Sequence, residues 1–135
     1  MAPLIAMSVL ALRPISPASA TEERTVQDLY SDCETEYGSF RYLGCIRYLQ
    51  GVGAALVAIA AFETDEHLSA DARRTMWPFA ICNKEKVSGL QLRQVFVNWA
   101  EKNPTDWQKQ EFIGAWSAIQ DAWPCPLPSP PKPRI

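Results

Sequence analysis

The run from Phe40 to Phe62 constrains this chain more than any other stretch. Its spacing predicts one helix, roughly 34 Å long at 1.5 Å per residue. The second half, Val52 to Phe62, has no charged or strongly polar residue on any face. A helix that is apolar all round must be covered by other elements or by lipid. Arg47 and Gln50 interrupt the run and leave about a dozen consecutive apolar residues where a bilayer span needs about 20. The expectation is therefore a central, enclosed helix and no membrane span in the mature chain. Inside it, the stretch GCIRYLQGVG sets Gly44, Gly51 and Gly53 beside Cys45. Each glycine in a helix interior costs about 1 kcal/mol against alanine. The reading that accounts for this loss is close packing, with the Val, Phe and Trp side chains of a later helix seated over the missing side chains.

The rest of the chain reads as helices of ordinary length. Thr25 with Asp28 offers a capping signal, and Val26, Leu29, Tyr30 and Cys33 follow at helical spacing, so a first helix covers about 25–35. Residues 63–87 form a long irregular connection with one helical turn around Ala70–Thr75, and connections of that length often carry function. Ser88 and Gln91 form a capping box ahead of Leu92, Val95, Phe96 and Trp99, giving a helix that ends at Asn103-Pro104. Thr105 and Gln108 suggest another box, with a last helix to Trp123 and Pro124 as its stop. No segment alternates apolar and polar residues long enough for a strand. The fold class is all-α: a small four- to five-helix bundle, stapled by disulfides, with the long connection between helices two and three.

Residues 1–20 hold an apolar run, Leu4 to Leu12, and a small-x-small end at Ala18-Ser19-Ala20, so they read as a cleavable signal peptide leading to the periplasm. Removing them takes away only Arg13 among the charged residues and makes the formal charge, -2 for the whole chain, one unit more acidic. A sequence pI of about 5.4 offers no basic footprint for nucleic acid. Behind an export signal, Cys33, Cys45, Cys82 and Cys125 read as two disulfides. With no Cys-x-x-Cys pair, zinc and dithiol redox chemistry are disfavoured. Three pairings are open. Cys45–Cys82 with Cys33–Cys125 is preferred slightly over the hairpin-closing Cys33–Cys45 with Cys82–Cys125. The helical domain spans 21–126, and 127–135 is a proline-rich tail expected to be disordered.

Candidate chemistry is sparse. His67 is the sole histidine and lies in an acidic stretch, where no nucleophile is evident beside it. Glu63, Asp65, Glu66 and Asp71 read as a solvated face rather than a catalytic pair. The expectation is no enzyme, no metal and no cofactor. The candidate residues are instead for a protein partner: Glu63, Asp65, Glu66, His67, Asp71, Arg73 and Arg74.

Leu29-Tyr30-Ser31-Asp32-Cys33, Cys45-Ile46-Arg47-Tyr48-Leu49-Gln50-Gly51, the Gln91-Leu92-Arg93 triplet, Asn103-Pro104 and Trp123-Pro124-Cys125 together form a pattern over about residues 25–126. It resembles the Rap/Tai family of immunity proteins, small helical proteins related in fold to the HdeA acid-stress chaperones. These protect bacteria from peptidoglycan amidases delivered by type VI secretion. The resemblance implies binding and inhibition of such an amidase by exposed loops, often from a homodimer, and by position the 63–78 connection is the candidate. Two features depart from the family: Asn83-Lys84 follows Cys82 where Ile-Pro is usual, and the proline tail is extra. The alternative reading is a periplasmic HdeA-like binding or envelope-stress protein with no amidase partner.

Overall fold

The computed structural model describes residues 22–62, 65–82 and 86–126. The expected signal peptide, Glu63 and the proline tail lie outside the described residues. Five α-helices are described: α1 Val26–Cys33, α2 Phe40–Ala61, α3 Ala70–Met76, α4 Gly89–Lys102 and α5 Glu111–Ala122. Short 3₁₀ turns cover Trp77–Phe79 and Pro104–Asp106. Helices α1, α2, α4 and α5 pack on one another around Leu29, Leu49, Leu56, Phe96 and Ile119, all at most 1% exposed. The chain is all-α, and the connection expected to be irregular contains α3 and a 3₁₀ turn.

The capping boxes at Thr25 and Ser88 form as expected. The Thr25 hydroxyl accepts from the Asp28 N–H while the Asp28 carboxylate accepts from the Thr25 N–H at 2.9 Å. Ser88 and Gln91 make the same reciprocal pair at the start of α4. A further cap opens α2: the Ser39 hydroxyl accepts from the Tyr42 N–H at 3.2 Å, just after Gly38 turns the chain at a φ of 79°. The box expected at Thr105 does not start a helix. The carbonyls of Trp107 and Lys109, which a helix there would use internally, accept the first N–H groups of α1, from Gln27 at 3.0 Å and Val26 at 2.8 Å. Those donors have no partner within α1, so 107–109 stays a turn and α5 begins only at Glu111.

The preferred cysteine pairing is overturned. The bridges are Cys33–Cys45, with Cα atoms 5.2 Å apart, and Cys82–Cys125, 4.7 Å apart. The antiparallel turn through Gly38 places the end of α1 beside the second turn of α2. Ile81 and Pro124 meet in an isolated antiparallel bridge and the Cys82 N–H donates to the Trp123 carbonyl at 3.2 Å. Local backbone geometry therefore selects the hairpin-closing arrangement.

Helix α2 is central but not enclosed. Tyr42, Cys45, Leu49, Val52, Gly53 and Leu56 face the core, while Gly44, Arg47, Gly51, Ala54, Ala55 and Ala58 are exposed. Its best 18-residue window has a mean hydropathy of 1.6, enough by length and composition to cross a membrane, with 28% of the window buried. Ala and Gly present little apolar area to water, but the same side also exposes Phe40, Leu43 and Val57, at 95%, 50% and 45%. The glycine expectation also changes. Gly53 receives Leu92 of α4, whose Cδ1 lies 3.6 Å from where a Cβ would stand, but nothing comes within 4 Å at Gly44 or Gly51. The close approaches are at Gly89, against Ile46 and Gln50, and at Gly114, against Val26 and Trp99.

Candidate functional site

After α2 the chain leaves the bundle and returns to it at Ala80 and Ile81, which are 1% and 3% exposed. In the turn between them, the Asp65 carboxylate accepts from the His67 N–H at 2.9 Å and the Asp65 carbonyl from the Leu68 N–H at 3.2 Å. Asp65 is thus partly committed to shaping the turn, with Glu66 and His67 exposed at its tip. The Ser69 hydroxyl accepts from the Ala72 N–H at 3.1 Å and starts α3. Asp71 lies in the first turn and Arg73 and Arg74 in the last, the placement the helix dipole favours.

Of the residues expected to meet a partner, Asp71 and Arg74 stand well into solvent. Their side chains are 94% and 80% exposed and 3.9 Å apart, a pair that contributes at most about 1 kcal/mol. Arg73 is half-buried. The fold therefore brings Asp65, Glu66, His67, Asp71, Arg73 and Arg74 onto one short excursion, with Glu63 outside the described residues.

Sequence reasoning missed the aromatic corner behind that rim. Trp77-Pro78-Phe79 forms a 3₁₀ turn, and the Phe79 ring packs on Trp116 of α5 with centroids 5.2 Å apart. Phe79 remains 45% exposed. The Gln120 side-chain amide donates to the Pro78 carbonyl and fixes the turn against α5. The indole N–H of Trp116 is buried with no hydrogen-bond partner among the described residues. A groove of about 470 Å³ runs alongside, lined by Trp77, Pro78, Gln120, Asp121, Pro124 and Cys125. A Trp-Pro-Phe triplet inside an otherwise polar connection was the signal that could have revealed this corner.

The excursion is an ordered platform, since α3 and the 3₁₀ turn bury no residue fully yet are fixed at their far end by Ile81, Gln120 and the Cys82–Cys125 bridge. Charged side chains around a partly exposed aromatic cluster suit a protein partner, because aromatic and Arg anchors carry most of the energy at interfaces. Among the described residues no group of three or more His, Cys, Asp or Glu could hold a metal ion.

The motif residues of the sequence pattern have structural duties instead. Arg93 donates from Nε to the Cys33 carbonyl at 2.7 Å, pairs with Glu34 at 2.7 Å, and lies 5.1 Å from the Tyr42 ring centroid. It closes the C-terminus of α1 and joins it to α2 and α4. Gln91 completes the cap of α4, and Leu92 fills the space over Gly53.

No curated protein and no solved structure matches the chain. A family model does match, that of the Rap1a immunity proteins, over residues 25–125, which is the span these helices, bridges and capping residues organise. The protein belongs to the Rap1a immunity protein family.

Proposed function

We propose that this protein acts in the periplasm by binding and blocking a secreted peptidoglycan amidase, through the face formed by α3 and the Trp77–Phe79 turn. The family match supports an immunity role against a secreted effector. The observation that carries the reading to this face is a platform that buries none of its residues fully while its far end is clamped by a disulfide. Clamping limits the ordering entropy lost on binding. Asp71 and Arg74 would steer the partner, and Trp77 and Phe79 would anchor it.

The test is to express the hydrolase encoded beside this gene and measure its release of peptides from purified cell wall, with and without this protein. Stoichiometric inhibition is expected. Phe79→Ala should weaken binding on the order of tenfold or more, as aromatic anchors do, while Arg74→Glu should act mainly on the association rate. If no neighbouring hydrolase exists and no amidase is inhibited, the reading fails.

A homodimer is part of the proposal. The exposed apolar strip of α2, around Gly51, Ala54 and Ala58, supports it. Sedimentation equilibrium returning the monomer mass at every concentration would remove that part.

A further inference from the structure

The two disulfides occupy unlike environments. Cys33 and Cys45 are 0% and 1% exposed inside the core. Cys82 and Cys125 are half-buried, and Cys125 lines the open groove beside Trp77, Gln120 and Asp121. Thiol–disulfide exchange needs a thiolate to reach a sulfur, so access decides which bridge reacts.

The bridges also hold different parts of the molecule. Cys33–Cys45 joins α1 to α2, which are already packed together in the core. Cys82–Cys125 joins the end of the excursion to the residues after α5. Besides the bridge, this end is held by Ala80 and Ile81 in the core, by the Phe79 ring on Trp116, and by three hydrogen bonds: the Ile81 N–H to the Leu56 carbonyl at 3.4 Å, the Cys82 N–H to the Trp123 carbonyl at 3.2 Å, and Gln120 to Pro78.

We propose that Cys82–Cys125 is a reducible clasp on the binding face, opened by a dithiol that enters the groove at Cys125, and that its opening releases residues 65–82 while the helical body stays folded. A thiolate of the dithiol attacks the Cys125 sulfur. The Cys82–Cys125 bond breaks, and Cys82 leaves as a thiolate and takes up a proton. The dithiol's second sulfur then displaces Cys125 from the mixed disulfide. Two electrons have passed from the dithiol, now a disulfide, to the protein, which now holds two thiols. Asp121 in the groove disfavours small anionic thiols and favours neutral ones.

The clasp rests on the geometry alone, whereas its consequence for partner binding rests on the function proposed above. The test treats the full chain with graded dithiothreitol, alkylates it with iodoacetamide, and maps the modified cysteines by mass spectrometry. Cys82 and Cys125 should be labelled on the order of tenfold faster than Cys33 and Cys45. Hydrogen exchange on the same samples should show residues 65–81 losing protection while α1 and α4 keep theirs. Simultaneous opening of both bridges, earlier opening of Cys33–Cys45, or unchanged protection in 65–81 once Cys82–Cys125 is open would overturn the clasp. The double variant Cys82→Ser with Cys125→Ser should show the same loosened segment without reductant; should it not fold, the graded reduction decides. If the segment loosens and an inhibited amidase still binds with undiminished affinity, the clasp stands and the assignment of the binding face fails.

Discussion

At the scale of single residues, the glycines separate tolerance from necessity. At Gly51 nothing lies within 4 Å of where a Cβ would stand and the residue is exposed, so Gly51→Ala should stabilise the monomer by about 1 kcal/mol in urea denaturation. At Gly114 the added methyl would run into Val26, which is 0% exposed, with Trp99 at 3.3 Å. Gly114→Ala should therefore destabilise by about 1–3 kcal/mol. Two ionisable residues set opposite pH limits. The Thr25 N–H and hydroxyl hold the Asp28 carboxyl below its ordinary value of 3.8. Its contribution is present above that value and is lost as pH falls through the lowered one, so Asp28→Ala should flatten the acid limb of the stability profile below about pH 4. Burial, with a smaller effect from the Glu111 charge, pushes the Tyr48 phenol up to about 12. Its contribution is complete below about pH 10, the ordinary phenol value, and is lost as pH rises towards 12, so Tyr48→Phe should remove that alkaline loss.

At the scale of elements, the helices were legible because capping residues and 3.6-residue spacing act locally. The Thr25–Asp28 and Ser88–Gln91 boxes are local in this sense. What was hidden depended on distant partners. The pattern at Thr105–Gln108 reads as a helix start, and only the amides of α1 withdraw the carbonyls that such a helix needs. The cysteine pairing likewise depended on which turns close, and the aromatic corner on Trp116 standing under Phe79, from a helix far along the chain. The charged rim was legible as a set of neighbours, but not that Asp65 would be used within its own turn. Arg93 is where an element contact is testable: it joins three helices through one guanidinium, so Arg93→Ala should cost about 1.5–3 kcal/mol. Arg93→Lys should recover little of that, since an ammonium cannot bond the Cys33 carbonyl and Glu34 in the same forked geometry.

At the scale of the whole molecule, acid should leave the core closed. Among the described residues no charged or polar side chain is fully buried, and the ion pairs, among them Arg24 with Asp32 and Glu111, Arg41 with Asp32, Arg93 with Glu34 and Lys109 with Asp106, lie at partly exposed positions. Such pairs are worth about 0.2–1 kcal/mol each, and two bridges still restrain the unfolded chain. No gain in 8-anilinonaphthalene sulfonate fluorescence is expected between neutral pH and about pH 3. A large gain would instead favour the acid-stress alternative, in which apolar surface opens on protonation.

The backbone bonds that finish α1 have a temporal consequence. Helix α1 is completed by carbonyls at Trp107 and Lys109, and its flanking Arg24 pairs with Glu111, 87 positions away. Closing so long a loop slows folding relative to a bundle built from neighbouring contacts. A nascent chain of this kind cannot finish α1 until residues 107–111 have been made.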